Sequence, residues 1–278
     1  MKKIVVRALS GAVYVGLIVG TLLYGGGMLF PLLCTVMALL AIIEFDRLAA
    51  YGGQRSKPVC ILDAILCVVP PLALAYTRLV PSHYIYDGTL FAAGYFVAML
   101  MVRIVYTLYS HESDSLRSLA FSVLAIGYIV VPLSMAALLS EPRSRFVLLL
   151  VFVMIWINDT GAFLTGITFG RHKLCERLSP KKSWEGFFGG LLFSAATGLG
   201  AYLIWPMTFG FLTPVGAVMM GVAVSVFATW GDLFESLVKR LAGAKDSGTI
   251  MPGHGGILDR IDSLLFVIPV VFVMFFLL

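Results

Sequence analysis

The feature that most constrains the fold is a series of nine apolar stretches, each close to the length of a membrane-crossing helix. One crossing needs about 20 mainly apolar residues. The stretches occupy residues 4–24, 27–45, 59–80, 88–109, 118–139, 146–169, 187–208, 211–234 and 260–278. The pattern predicts an all-α integral membrane protein with about nine transmembrane helices.

The composition excludes water as the solvent for most of the chain. Hydrophobic residues make up 60% of the 278 residues and charged residues 13%, whereas a soluble domain has about 45–50% apolar and about 25% charged residues. These values exclude a cytosolic globular enzyme, a secreted disulfide scaffold and a disordered chain. Basic and aromatic residues are not interleaved, so no nucleic-acid partner is expected.

Basic residues are distributed unevenly between the two sides of the membrane. With a cytoplasmic N-terminus, seventeen of the 20 Lys and Arg residues lie on or near the cytoplasmic side. This excess follows the positive-inside rule and places both long polar loops, residues 171–186 and 235–259, in the cytoplasm. The sequence predicts two parts: N-terminal transmembrane helices over residues 1–145, with about five spans, and catalytic transmembrane helices over residues 146–278.

Polar residues are sparse in the first part and deeper in the second. Glu44, Asp46, Asp63 and His83 are expected to lie at helix ends or to snorkel to the membrane interface. Asp159 lies 14 residues after Arg145 and 12 residues before Arg171, and the second spacing puts it about 18 Å from the cytoplasmic end of the sixth span at 1.5 Å per residue. An ionised carboxylate in hydrocarbon costs at least about 2.5–3.5 kcal/mol, so we expect it to face a polar cavity or a partner. The structural alternative is a helix–helix contact in which Gly161 and Gly166 pack closely.

The loop after the sixth span is basic, with five Lys or Arg among its first twelve residues. It fits either an anchor near anionic lipid or a site for a phosphorylated ligand, and the spacing alone does not separate the two. Ser179-Pro180 is typical of an N-cap followed by Pro at the first helical position. A helix beginning there would direct N–H groups at an anion and bring Lys181, Lys182 and Glu185 within one turn.

Polar groups on one helical face end the eighth span. Asp232, Glu235, Ser236 and Lys239 recur at i, i+3, i+4 and i+7, and Arg240 adjoins them. A solvated helix end would explain the two cations but not the two deeper acids. This polar face of the helix should therefore line a cavity.

The segment before the last span places three glycines around a histidine, in Pro252-Gly253-His254-Gly255-Gly256. These glycines permit positive φ and close approach of the backbone to a ligand. Asp259 opens the last span either as an N-cap or as a partner of Asp232 across two helices. Two carboxylates together with many Lys and Arg side chains suit a metal-bound triphosphate, because Mg²⁺ is typically held by one or two carboxylates plus substrate phosphates.

The polar positions of the second half form a long pattern with fixed spacing. Its main part is Ser236-x-x-Lys239-Arg240-x-x-x-x-Lys245-Asp246, followed by Pro252-Gly253-His254-Gly255-Gly256-x-x-Asp259-Arg260-x-Asp262. Further parts are Asn158-Asp159-x-Gly161-Ala162-Phe163, Ser179-Pro180-Lys181-Lys182-Ser183-x-Glu185-Gly186 and Gly231-Asp232-x-x-Glu235-Ser236. Together they resemble the phosphatidate cytidylyltransferases, also called CDP-diacylglycerol synthases. The first half matches only in length and span count.

The resemblance implies transfer of CMP from CTP to phosphatidic acid, giving CDP-diacylglycerol and pyrophosphate, with Mg²⁺ alone or with a second cation. It implies a multi-helical enzyme whose polar cavity opens to the cytoplasm and laterally to the lipid bilayer. It also implies a homodimer, and the short chain resembles bacterial members, which points to a bacterial cytoplasmic membrane.

The resemblance further implies roles for single residues. The catalytic set is Asp159, Asp232, Lys239, Arg240, Asp246 and Asp259, with Asp232 and Asp259 as cation ligands. The substrate-binding set is Ser179, Lys181, Lys182, Glu185, Glu235, Ser236, Lys245, His254, Gly255, Gly256 and Arg260. Within it, Ser179, Lys181 and Lys182 would contact the nucleotide or the lipid headgroup, Glu185 would orient those lysines, and the loop from Pro252 to Gly256 would wrap a phosphate.

Two other functions fit parts of the pattern. A CTP-dependent polyprenol kinase would share the cavity but would transfer a γ-phosphoryl group and release CDP. A transporter would place its charges along a path near the membrane midplane, often between inverted repeats. The intact motif favours cytidylyl transfer over the kinase, and the concentration of charge in the second half argues against transport.

Overall fold

The computed structural model describes residues 2–24, 27–49, 56–77, 85–110, 114–251, 253 and 255–277. The first half consists of α1 (Lys2–Tyr24), α2 (Leu29–Ala49), α3 (Lys57–Thr77), α4 (Ile85–Tyr109), α5 (Ser115–Ala125), a π-helical turn (Ile126–Val130) and α6 (Val131–Leu139). The second half consists of α7 (Arg145–Phe169), an antiparallel hairpin of β1 (Lys173–Cys175) and β2 (Ser179–Ser183), α8 (Trp184–Ile204), α9 (Pro206–Phe209), α10 (Pro214–Leu241) and α11 (Leu258–Leu277).

Seven helices within the described residues are long and apolar enough to cross a membrane. They are Leu29–Ala49, Lys57–Ala75, Ser115–Leu139, Arg145–Phe169, Trp184–Ile204, Pro214–Leu241 and Leu258–Leu277. Two further apolar helices, Ala8–Tyr24 and Gly94–Tyr109, are shorter. The prediction of an all-α membrane protein is therefore confirmed, while the count of nine spans and the orientation remain predictions.

The chain packs into two compact units. The first unit contains Met1–Glu141 together with Leu241–Arg260, and the second contains Pro142–Arg240 together with Ile261–Leu278. The segment between α10 and α11, which we call the glycine-rich segment, thus packs with the N-terminal helices. The predicted division at residue 145 separates the parts by catalytic role rather than by packing, and it stays a prediction.

The first unit is built around α2, which packs against α3 and α6. Phe45 of α2 is fully buried, and its ring centroid lies 6.4 Å from that of Phe121 and 6.3 Å from that of Tyr128. Lipid tails are as apolar as these side chains, so such helices associate mainly through close packing and hydrogen bonds rather than through the hydrophobic effect.

A buried ion pair joins three helices of the first unit. Arg103 of α4 is fully buried, and its Nε lies 3.3 Å from Oδ1 of Asp63 in α3. The guanidinium also donates to the hydroxyls of Ser118 and Ser122 in α5, each at 2.9 Å, and Ser122 donates to Asp63 at 2.6 Å. An ion pair in a low dielectric needs such additional donors to offset its desolvation.

Three acids of the first half are buried: Asp63 is 3% exposed, Asp46 is 6% exposed and Glu44 of α2 is fully buried. Asp46 does lie near the end of α2. The expectation was wrong for Glu44 and Asp63, because it ignored partners from distant parts of the chain. His83 lies outside the described residues.

In the second unit, α7 and α8 pack closely at glycine positions. A Cβ added at Gly161 would lie 2.8 Å from the ring of Phe193, so the helices could not approach as they do with a side chain there. A Cβ at Gly166 would be in ordinary contact, 3.5 Å from Oγ of Ser183. Close packing at a glycine is therefore confirmed for Gly161, whereas Gly166 would accommodate a Cβ in ordinary contact.

Candidate active site

Three carboxylates converge in the second unit and form what we call the acid cluster: Asp232 and Glu235 of α10 and Asp262 of α11. One carboxylate oxygen from each lies within 4.8 Å of the others. Hard oxygen donors at this spacing suit a divalent cation such as Mg²⁺. Asp262 belongs to the sequence motif but received no role there. Its position inside an apolar span, where a charge is costly, is the signal that could have identified it.

Two lysines pair with the acid cluster. Nζ of Lys182 lies 2.6 Å from Oδ2 of Asp232, and Nζ of Lys239 lies 2.5 Å from Oε2 of Glu235. The hydroxyl of Ser236 donates to Oδ1 of Asp232 at 3.3 Å. The contacts of Lys239 with Glu235 and of Ser236 with Asp232 link residues four apart, so the predicted polar face of the helix is confirmed. Glu235 is 1% exposed, which makes it the most deeply buried of these charged groups.

The prediction of a helix beginning at Ser179-Pro180 is wrong. Both residues lie in β2, and α8 begins at Trp184 with Ser183 as its N-cap, whose Oγ accepts a hydrogen bond from the N–H of Gly186 at 3.2 Å. The fixed φ of Pro fits an extended strand as well as a first helical turn. Pairing of β2 with β1, which a local cap signal does not contain, decides for the strand.

The hairpin presents the two predicted lysines differently. Successive side chains of a strand point to opposite faces, so Lys182 reaches the acid cluster while Lys181 is more exposed. Glu185 forms hydrogen bonds at the base of the hairpin, with the two residues just before β1, instead of contacting a lysine. It accepts from the backbone N–H of Arg171 at 3.1 Å and of His172 at 3.2 Å, and it contacts Nδ1 of His172 at 2.6 Å. Any effect of Glu185 on the lysines passes through the hairpin backbone.

A cavity of about 550 Å³ lies beside the acid cluster within the second unit. Its charged lining consists of Asp159, Lys173, Lys181, Lys182 and Asp232, and its apolar lining includes Phe163, Ile167 and Phe187. The expectation that Asp159 faces a polar cavity is confirmed. Its neighbour Asn158 is buried, accepts from the hydroxyl of Ser225 at 2.6 Å and donates to Asp159 at 3.4 Å.

The first unit carries the glycine-rich segment between α10 and α11. Exposed Lys245, Asp246 and Arg260 line a cavity of about 620 Å³ there, together with Gly253 and Gly255. The φ angles of Gly253 and Gly255 are 76° and 84°, which confirms the predicted positive φ at these positions. Pro252 and His254 lie outside the described residues, so the role of His254 remains a prediction. Arg240 is exposed near the end of α10 in the second unit.

Asp259 accepts hydrogen bonds from two residues of this glycine-rich segment. Its Oδ2 accepts from the N–H of Ser247 at 2.9 Å and from the N–H of Gly256 at 2.8 Å, and it lies 2.9 Å from the hydroxyl oxygen of Ser247, whose single proton it shares with a second carboxylate. A Cβ added at Gly255 would lie 2.4 Å from the same oxygen. Asp259 is not the N-cap of α11, because the helix begins at Leu258. Its predicted convergence with Asp232, which belongs to the other unit, stays a prediction.

Comparison with known proteins gives a consistent result. The family model described as the cytidylyltransferase family matches residues 5–278. A phosphatidate cytidylyltransferase of Staphylococcus epidermidis (strain RP62A) is 31% identical over 268 residues, which cover 95% of this chain and 96% of the relative. Relatives with the same name from Staphylococcus haemolyticus (84% of this chain, 95% of the relative) and Staphylococcus aureus strain COL (89% and 90%) are also 31% identical. The chain therefore belongs to the cytidylyltransferase family, the family that its motifs resemble.

Proposed function

We propose that this protein is a phosphatidate cytidylyltransferase, which transfers CMP from CTP to phosphatidic acid and releases CDP-diacylglycerol and pyrophosphate. The observation that carries the proposal is the acid cluster beside a cavity that is lined both by lysines and by apolar side chains. Such a cavity matches a lipid phosphate, whose headgroup is anionic and whose chains are apolar. The relatives' shared name supports the same reaction.

The setting of the enzyme is part of the proposal. We place it in a bacterial cytoplasmic membrane with a cytoplasmic N-terminus and about nine spans, so that CTP reaches the polar segments from the cytosol. The uneven distribution of Lys and Arg supports this orientation, and the staphylococcal relatives support a bacterial membrane. A homodimer also belongs to the proposal.

The acid cluster fits a divalent cation in its chemistry and spacing. Asp232, Glu235 and Asp262 offer three hard oxygen atoms, and their mutual repulsion is offset in part by Lys182 and Lys239. Bound Mg²⁺ would neutralise charge on the triphosphate and polarise the phosphorus under attack. The cation-ligand role predicted for Asp259 remains part of the proposal, alongside the loop contacts described above.

The chain's own residues position and neutralise the reacting groups. A phosphate oxygen of phosphatidic acid attacks the α-phosphorus of CTP, a new P–O bond forms, and the bond to the leaving pyrophosphate breaks. The attacking oxygen is already anionic near pH 7, so no general base is needed, and orientation and charge neutralisation supply most of the rate. Lys181 and Lys182 bind phosphate in the second unit, and Lys245 and Arg260 bind phosphate in the first.

The test is a product assay on detergent-purified protein with phosphatidic acid and CTP labelled at the α-phosphorus. We expect label in a lipid product only when Mg²⁺ and phosphatidic acid are both present. Label that remains in CDP, with the γ-phosphate on a different lipid such as a polyprenol, would contradict the proposal and indicate a lipid kinase. No turnover with either lipid, in protein shown to be folded, would also contradict it.

A further inference from the structure

The side chain of Glu44 in α2 is fully buried and reaches a segment more than 200 positions away in the sequence. Its Oε1 accepts from the N–H of Ile257 at 3.0 Å, and its Oε2 accepts from the N–H of Leu258 at 2.9 Å. The hydroxyl of Ser247 donates to the same Oε2 at 2.9 Å. All three donors belong to the glycine-rich segment or to the first residue of α11, within the first unit.

Two glycines of this segment lie directly against the Glu44 carboxylate. A Cβ added at Gly248 would lie 2.4 Å from Oε1 of Glu44, and a Cβ added at Gly256 would lie 2.2 Å from Oε2. Neither glycine has a positive φ, so space rather than backbone conformation requires glycine there. The path of the segment is therefore fitted to this one carboxylate.

The hydrogen bonds explain how a membrane helix can hold such a group. A buried carboxylate is costly unless donors replace its water. Here two of the donors are N–H groups at the start of α11, which have no acceptor within the helix itself. The helix dipole also favours a negative charge at this end. Ser247 further connects Glu44 to Asp259, since its hydroxyl lies 2.9 Å from an oxygen of each.

We propose that Glu44 is a positioning residue. It holds the segment between Lys245 and Arg260 in the conformation that binds a phosphate oxyanion. This inference rests on the proposed function, in which the segment binds phosphate. The phosphate belongs either to the triphosphate of CTP or to the lipid headgroup. Glu44 itself touches neither substrate. It acts through the glycine-rich backbone and through Asp259.

The same unit offers a matched control. Asp63 is also a buried carboxylate of the first unit, and it also accepts a hydrogen bond from a serine hydroxyl. Its partners, Arg103 and Ser122, lie on neighbouring helices. Loss of Asp63 should therefore lower stability without changing the segment.

The test compares Glu44→Gln with Asp63→Asn as folded, detergent-purified proteins. A glutamine NH₂ cannot accept a hydrogen bond, so Glu44→Gln leaves one N–H at the start of α11 without its acceptor. Two quantities are measured: amide hydrogen exchange over residues 245–260 without substrate, and KM for CTP and for phosphatidic acid. We expect faster exchange in this segment and about a tenfold rise in one KM for Glu44→Gln, with neither change for Asp63→Asn.

The substrate whose KM rises identifies the bound phosphate: CTP indicates the triphosphate, and phosphatidic acid indicates the lipid headgroup. Unchanged exchange in folded Glu44→Gln protein overturns the proposal, and so does faster exchange with both KM values unchanged. Wild-type protein without cytidylyl transfer would instead overturn the proposed function, and the exchange measurement would still report whether Glu44 holds the segment.

A second variant covers the case in which Glu44→Gln does not fold. Ser247→Ala removes the hydroxyl that joins Glu44 to Asp259 and adds no bulk. It should change the exchange and the same KM in the same direction, by about two- to fourfold. Wild-type exchange and KM values in this variant would overturn the proposal.

Discussion

Two groups of carboxylates in this protein have opposite surroundings. In the first unit, Asp63 and Glu44 are surrounded by hydrogen-bond donors: a guanidinium and a hydroxyl for Asp63, and two backbone N–H groups and a hydroxyl for Glu44. In the second unit, the three carboxylates of the acid cluster lie within 4.8 Å of one another.

The difference lies in what surrounds each carboxylate. A carboxylate with several donors has its negative charge stabilised by the protein alone. Carboxylates in close proximity repel one another, and lysines contact two of the three in the acid cluster. Burial of an acid therefore does not identify a catalytic site by itself. The charge of its neighbours separates an acid that supports the fold from one that is suited to bind a cation.

The largest expected effect is on stability, in the first unit. Asp63→Asn leaves the buried guanidinium of Arg103 without its carboxylate, which should lower the free energy of unfolding by about 3–5 kcal/mol. The folded fraction should keep wild-type kcat, because the ion pair with Arg103 and the hydrogen bond from Ser122 support helix packing. Thermal unfolding in detergent, followed with turnover per folded molecule, measures both. Wild-type stability would show that the donors around Asp63 are not needed.

The acid cluster should respond in the opposite way. Asp232→Asn removes one oxygen charge from the proposed cation site, and we expect kcat to fall about 100- to 1,000-fold. Stability should change little, because removal of a negative charge relieves repulsion with Glu235 and Asp262. Full Mg²⁺-dependent turnover in a correctly inserted Asp232→Asn protein would refute the assignment of Asp232 as a ligand.

A smaller effect is expected from the hairpin lysines. Lys182→Met removes the cation that contacts both the acid cluster and the cavity, so KM for phosphatidic acid should rise about tenfold. Lys181→Met, one position earlier on the other face of β2, is the matched variant and should have a smaller effect. Steady-state kinetics with mixed micelles distinguish them. Equal effects would mean that the contact with Asp232 is unimportant.

The smallest effect should come from the base of the hairpin. Glu185→Gln weakens the hydrogen bonds to the N–H groups of Arg171 and His172, which are exposed. We expect kcat/KM to fall about two- to fivefold with no change in cation binding. A loss as large as that of Asp232→Asn would indicate that Glu185 touches the reacting groups directly.

Much of the fold could be predicted from sequence because it is encoded locally. Runs of apolar residues predicted each long helix, the i, i+3, i+4 and i+7 spacing from Asp232 to Lys239 predicted their shared face, and glycine itself predicted the positive φ at Gly253 and Gly255. Ser179-Pro180 misled because a local cap signal is compatible with an extended strand.

The partners of buried acids could not be predicted in the same way. Glu44 meets Leu258 from 214 positions away, and Asp63 meets Ser122 from 59 positions away, so no local window contains either contact. Asp262 was visible as a costly charge in an apolar span, but only folding places it beside Glu235 and Asp232. Tertiary packing selects which acids meet donors and which meet other acids.

The most direct test of the account is cation binding by the acid cluster, measured without turnover. Electron paramagnetic resonance of Mn²⁺ added in place of Mg²⁺ would count bound ions on the detergent-purified protein, on Asp262→Asn and on Asp63→Asn. We predict a bound ion on the wild-type protein and on Asp63→Asn, and at least about a tenfold weaker affinity on Asp262→Asn. Undiminished Mn²⁺ binding by Asp262→Asn, or equal losses in both variants, would contradict a cation site formed by Asp232, Glu235 and Asp262.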